Sequence, residues 1–145
     1  MNTHGDSMAR DIARAVIDFE HQRAGHSPES VDVTLGQNTL VITLRGVLSP
    51  GELTMARTPA GAARIEELQQ QLFEAAGAGL RHDIERITGT PIVDATASVD
   101  SGRGSVVRSF PSGTLVQIYL LASTVPAQHW SGTHPDGARA SESLS

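Results

Sequence analysis

A small group of charged and hydroxyl residues lies where a strand is predicted to end and a long helix to begin. Arg45 ends an alternating stretch, Glu52 and Arg57 follow in the connection, and Thr58 directly precedes the helical pattern. The first turn of a helix has free backbone N–H groups that attract anions. The group therefore predicts an anion-binding or partner-binding site. Arg103, in a glycine-rich loop further along, is a further candidate, because such loops form backbone nests for phosphate.

Simpler interpretations of the same residues stay open. Arg45 is also able to pair with Glu52 at the surface. Arg57 is able to pair with Glu66 in the same way, and exposed ion pairs of this kind are common and weak. The loop around Arg103 lacks the strand–GxxxxGK–helix context of a phosphate-binding loop, so it also fits an ordinary hairpin connection.

No constellation of catalytic or metal-ligating residues stands out in the sequence. The chain contains no cysteine, and all 11 of its Lys+Arg residues are arginine. Thiolate chemistry and Schiff-base chemistry are therefore excluded. His82 begins a His-Asp-Ile-Glu stretch that lacks the second histidine of the zinc helix motif, and no Gly-x-Ser-x-Gly elbow is present. We therefore expect a protein without enzymatic activity, metal or cofactor.

Length and charge restrict the class of protein further. The 145 residues fit one domain, and the net charge of −5 argues against a nucleic-acid partner. No segment approaches the roughly 20 apolar residues that cross a bilayer, and the first residues do not resemble a signal peptide. We expect a cytoplasmic protein that is not inserted directly into the membrane.

A long amphipathic helix is expected to position the candidate residues. Thr58 suits the N-cap, Pro59 the first helical position and Gly89 a left-handed C-terminal residue. A straight helix over this stretch would measure roughly 45 Å, which is long for so small a domain. We therefore expect either a bend at residues 76–79, where two glycines alternate with alanine, or a second copy packed against the helix. The connection before Thr58 has room for a short helical turn.

The remaining patterns predict one more helix and two hairpins. A helix begins near residue 7, with an apolar stripe up to Phe19, and ends before Gly25. Alternating residues 31–35 and 40–45 predict the first hairpin, and residues 91–98 and 115–121 the second. The order is α-β-β-α-β-β, an α+β fold with a four-stranded antiparallel sheet and two helices packed on one face.

The same patterns set the expected limits of the domain and its oligomeric state. Residues 1–6 are predicted to be a disordered N-terminus, 7–122 a single domain and 123–145 a disordered tail. The second face of the sheet would carry few charges, so we expect a homodimer.

Short motifs around the hairpin-to-helix connection resemble a known family. Gly46-Val47-Leu48-Ser49-Pro50-Gly51-Glu52-Leu53, Arg57-Thr58-Pro59-Ala60-Gly61 and Ile87-Thr88-Gly89 are similar to the MpsC-like family, formerly a domain of unknown function. The resemblance covers about residues 8 to 122. Its motif positions in this chain are Gly46, Leu48, Pro50, Pro59, Gly61 and Gly89.

The resemblance implies a function that the residues alone do not. It implies a non-enzymatic accessory or regulatory subunit of a Na⁺-translocating, membrane-potential-generating transport system linked with bicarbonate uptake. An integral membrane transporter subunit would be the partner, and the chain would lie in the cytoplasm or peripherally at the inner face of the membrane. Residues 100–111 resemble an insertion relative to the family. The alternative from the candidate residues is a small-anion or ligand-binding module that acts as a homodimer without a membrane partner.

Overall fold

The computed structural model describes residues 3–25, 27–100 and 113–133, and these form an α+β fold, as predicted. In chain order the elements are α1 (Thr3–Ala24), β1 (Ser30–Arg45), α2 (Pro50–Met55), α3 (Pro59–Ala76), α4 (Ala78–Thr88), β2 (Ile92–Asp100) and β3 (Thr114–Gly132). None of the described helices is long and apolar enough to cross a membrane.

Within the described residues, the sheet is antiparallel but has three strands in the order β1-β3-β2, so the prediction of four strands is wrong. The two arms of the first predicted hairpin belong to one strand, β1. The reason is that pairing with β3 continues through the predicted turn, from Leu35–Gln128 through Gln37–Val125 to Thr39–Leu120. The turn-forming residues 36–38 therefore do not interrupt the pairing of β1 with β3.

Both long strands nevertheless fold back on themselves. A straight strand of 16 residues would measure roughly 50 Å. The N–H of Glu29 instead donates to the carbonyl of Arg45 at 2.7 Å, so the two ends of β1 are neighbours. The reversal lies at residues 36–38, where Gln37 has a positive φ of 51°. β3 runs around the outside of this reversal, so its first half pairs with the second arm of β1 and its second half with the first arm. The sheet is therefore five segments wide, in the order β2, residues 114–120, residues 40–45, residues 30–35 and residues 125–132.

The helices cover one face of this sheet, as predicted. The side chains of Leu40, Ile42 and Leu44 point to that face and are fully buried. Tyr119 lies at its centre, with its ring centroid 6.1 Å from that of Phe73 in α3. On the same face, at the outer edge formed by the second half of β3, the N–H of Ala9 in α1 donates to Gln128 Oε1 at 2.9 Å. The core is therefore one layer of mainly aliphatic side chains between sheet and helices, with Tyr119 and Phe73 among them.

The described part of the chain contains four helices where two were predicted. Ser49 caps the short helix α2, and the expected long helix is divided into α3 and α4 at Gly77. The predicted bend at residues 76–79 is thus confirmed. A Cβ atom at Gly77 would lie 2.9 Å from Arg81 Nη1 and would also overlap the carbonyl oxygen of Phe73, so a side chain does not fit there.

The first helix and the last strand extend beyond the predicted domain limits of residues 7 and 122. α1 begins at Thr3, inside the stretch 1–6 that was expected to be disordered. β3 continues to Gly132, so residues 123–132 are a strand and not a tail, and Trp130 packs against the core. This half of β3 is ordered by pairing with residues 31–35, a partner that local composition does not reveal. Residues 134–145 lie outside the described residues, as does most of the predicted 100–111 insertion.

Candidate functional site

The first half of the connection between β1 and α3 is fixed by close packing. Gly46 has a φ of 71°, and a Cβ atom there would lie 2.6 Å from Glu29 Cδ. Gly113 accepts hydrogen bonds from the N–H groups of Gly46 and Val47, at 3.1 and 3.3 Å. Leu48 is buried against Gly113, where a Cβ atom would lie 2.7 Å from Leu48 Cδ1. Gly46 and Leu48 are therefore closely packed at the end of the sheet.

A capping box then starts α2. The N–H of Glu52 donates to Ser49 Oγ at 3.2 Å, and the N–H of Ser49 donates to Glu52 Oε1 at 2.8 Å. Pro50 occupies the first turn, where its missing donor costs nothing. The carboxylate of Glu52 is thus used to hold the helix start.

The start of α3 and the end of α4 are fixed in the same local manner. Thr58 Oγ1 accepts a hydrogen bond from the N–H of Gly61 at 3.0 Å, and Pro59 begins the helix, both as predicted. A Cβ atom at Gly61 would lie 2.9 Å from the carbonyl carbon of Met55, so this position accepts only glycine without movement. Gly89 has a φ of 75° and ends α4. The motif residues are therefore structural.

The predicted binding residues serve different purposes in the structure. Glu52 and Thr58 are engaged in helix capping. The positive charge of Arg45 acts on Asp32, which lies on the first arm of β1. Arg57 is exposed between α2 and α3. Binding of an anion by these residues stays a prediction, and Arg103 lies outside the described residues.

A hydrogen-bonded cluster that the sequence did not predict lies on the sheet face away from the helices. Asp32 Oδ1 lies 2.7 Å from His129 Nε2 and also accepts a hydrogen bond from Ser131 Oγ. Burial by itself raises the pKa of Asp32. The hydrogen bonds from Ser131 and His129, together with the charges of His129 and Arg45, outweigh burial and hold this pKa below its usual value. The histidine does not lie between the serine and the carboxylate, so the geometry differs from a catalytic triad.

A second polar cluster lies inside the core. Tyr119 donates its hydroxyl hydrogen to Gln117 Oε1 at 2.9 Å, and both side chains are almost completely buried. Burial raises the pKa of Tyr119 far above its usual value, with Arg81 opposing and Glu20 adding to the effect. Arg81 also lies 5.8 Å above the ring of Phe73. Tyr119 is therefore a neutral donor whose hydrogen bond lies within β3, while its ring contacts Phe73 of α3.

A groove with a volume of about 700 Å³ lies between α1 and α4, and we call it the α1–α4 groove. Its apolar part includes Phe19 and Leu80. Its rim carries two ion pairs, Asp11–Arg14 at 3.6 Å and Asp83–Arg86 at 3.5 Å, together with the exposed carboxylate of Asp18. Within the described residues, no group of three His, Cys, Asp or Glu side chains is able to hold a metal ion. The groove thus combines an apolar part with a charged rim.

The sheet face away from the helices is the second notable surface. We call it the open face; its centre is formed by Thr34, Thr39, Val41, Thr43, Thr96, Val116, Ile118 and Leu120. Ile118 and Leu120 are 37% and 39% exposed, which is unusual for large aliphatic side chains on a central strand.

Comparison with known proteins identifies relatives of the chain. Residues 4–110 match the family described as Na⁺-translocating membrane potential-generating system (MpsC). The chain is 24% identical over 104 residues to the uncharacterized protein YbcI of Bacillus subtilis (strain 168), an alignment that covers 72% of this chain and 84% of the relative. No solved structure matches.

Proposed function

Because the chain belongs to the MpsC family, we propose that it is an accessory or regulatory subunit of a Na⁺-translocating, membrane-potential-generating transport system, and that it acts by contact and not by catalysis. The family match over residues 4–110 is the observation that carries this proposal. The roles of Gly46, Gly61 and Gly89 are consistent with this proposal, because these residues serve close packing and helix ending, and not the binding of a substrate. A link with bicarbonate uptake and a place at the cytoplasmic face of the membrane belong to the same proposal.

The α1–α4 groove is the surface that we assign to the membrane partner. Three aspartates line it, at positions 11, 18 and 83, against two arginines, at positions 14 and 86. Cytoplasmic loops of membrane proteins are enriched in Lys and Arg. A basic amphipathic segment of a transporter subunit would therefore place apolar residues against Phe19 and Leu80 and a basic residue beside Asp18.

Reversal of one charge in the groove tests the proposal. The tagged chain is expressed in its native cells and cross-linked to its neighbours there. The membranes are then solubilised, the tagged chain is purified, and the purified material is examined for an integral membrane protein. We expect the wild type to retain that protein and Asp18→Arg to lose it. Glu67→Arg is the matched control, because Glu67 is an exposed carboxylate on α3 outside the groove.

The same cells provide a functional readout. Deletion of the chain should lower the membrane potential measured with a voltage-sensitive dye, and Asp18→Arg should fail to restore it. Failure of the wild-type chain to retain any integral membrane protein, together with an unchanged potential after deletion, would refute the proposal.

Anion binding is the alternative function, and it has a test of its own. Glu52 and Thr58 are engaged in caps, so Arg57 and Arg45 would have to provide the charge. If this alternative holds, phosphate or bicarbonate raises the melting temperature of the wild type but not of Arg45→Ala or Arg57→Ala. Equal shifts in all three proteins, or none, would leave the alternative without support.

A further inference from the structure

We propose that the open face binds a second copy of this chain, so that two sheets pack face to face around a two-fold axis. The first reason is the distribution of charge. Val41, Ile118 and Leu120 lie among threonines on the inner strands, whereas Asp32 lies towards one end of the face and Asp94 lies beside Leu120 on the edge strand β2. An apolar centre with a polar rim is the usual arrangement of a protein interface.

The second reason is the size of the face. Five segments about 4.8 Å apart, each about six residues long, give a platform of roughly 24 by 20 Å. Its projected area is on the order of 500 Å², and the accessible surface of a corrugated sheet exceeds its projection. A standard interface buries about 800 Å² on each partner. The open face therefore approaches the size of a standard interface only because β1 and β3 fold back and widen the sheet.

The third reason is that the edges of the sheet are partly protected against pairing with a further strand. At the β2 edge, the N–H of Ile92 donates to Glu85 Oε2 at 2.8 Å, and the N–H of Ala95 donates to Asp94 Oδ1 at 2.9 Å. At the other edge, the second half of β3 contains Pro126, which has no N–H to donate. These features reduce the number of N–H groups that each edge offers to a further strand, which favours the face as the surface for contact.

A second copy is the occupant that these features favour. A two-fold arrangement places the apolar centre of one copy on the same centre of the other, so each copy supplies the complementary surface. This inference is independent of the α1–α4 groove, which lies among the helices on the opposite side of the sheet, and a dimer would present two such grooves.

Sedimentation of the full chain tests the inference. We expect the wild type at micromolar concentration to have twice the chain mass of 15.3 kDa. Ile118→Asp should raise the dissociation constant by roughly 100-fold or more, because it places two carboxylates at the centre of the interface. Leu68→Asp is the control, since Leu68 is similarly exposed, at 42%, but lies on α3. A monomeric wild type, or dissociation by Leu68→Asp and not by Ile118→Asp, would overturn the inference.

Cross-linking gives an answer even if Ile118→Asp does not fold. The chain contains no cysteine, so a single introduced thiol reports only its own position. We expect Val41→Cys to form a covalent dimer with a short thiol-reactive cross-linker, and Leu68→Cys to stay monomeric. The reverse pattern, or no cross-link at Val41→Cys, would place the interface elsewhere or remove it.

Discussion

Replacement of Gly61 by alanine tests the packing of the family motif, because two effects of opposite sign compete. In a helix, alanine is favoured over glycine by about 1 kcal/mol. At position 61, however, the new Cβ atom would lie 2.9 Å from the carbonyl carbon of Met55 and 3.0 Å from Thr58 Oγ1. The Met55 carbonyl is backbone, so α2 and α3 would have to separate by about 1 Å.

The expected loss of stability follows from the contacts that this separation would disturb. Overpacking of this kind costs about 1–3 kcal/mol. Weakening of the Thr58 N-cap, whose hydrogen bond to the N–H of Gly61 is 3.0 Å long, adds about 1 kcal/mol. After subtraction of the helical gain, we expect Gly61→Ala to lower the free energy of unfolding by about 2 kcal/mol. For a chain of this length, that corresponds to a fall in Tm of about 6 °C.

The control is the same substitution in an open helical position. A Cβ atom at Gly79 would meet nothing within 4 Å, so Gly79→Ala should raise the stability by up to about 1 kcal/mol. Urea unfolding followed by circular dichroism measures both variants. The packing explanation is refuted if Gly61→Ala is as stable as Gly79→Ala.

Three further predictions concern single side chains. Thr58→Ala should lower the free energy of unfolding by about 1 kcal/mol, and Thr58→Ser should retain most of it, as measured by urea unfolding. Tyr119→Phe leaves the buried oxygen of Gln117 without its donor and should cost about 1–3 kcal/mol, which thermal unfolding would detect; an unchanged Tm would contradict the role of the hydroxyl. Asp32→Asn should weaken the interaction with His129 and lower the free energy of unfolding by about 0.5–1 kcal/mol at pH 7. The pKa of Asp32 is lower in the folded state than its ordinary value of 3.8. The ionised carboxylate therefore stabilises the fold at any pH above 3.8, and this stabilisation is lost as the pH falls through the pKa of the folded state. The difference between wild type and Asp32→Asn should therefore vanish at low pH, and a difference that persists there would have another origin.

The helices could be predicted because their signals are local. Thr58, Pro59 and Gly89 are cap residues whose role depends on neighbours within one turn, and Gly77 marks the bend for the same reason. The sequence also left room for a short helix before Thr58, where α2 forms. These features need no knowledge of the rest of the fold.

The sheet could be predicted only in part, because its ladders join distant segments. Residues 31–35 pair with residues 128–132, almost one hundred positions away. That pairing turned an apparent tail into a strand and merged the predicted hairpin arms into β1. The cluster of Asp32, His129 and Ser131 depends on the same pairing, so no local pattern could have indicated it.

Photo-cross-linking in living cells tests the proposed contact function most directly. A photoreactive amino acid is introduced at His82, an exposed position of the α1–α4 groove, or at Ile118 on the open face. We predict that position 82 cross-links to an integral membrane protein and that position 118 cross-links to a second copy of the chain. Failure of position 82 to reach any membrane protein, while position 118 still captures the second copy, would contradict the membrane partner and leave only the dimer.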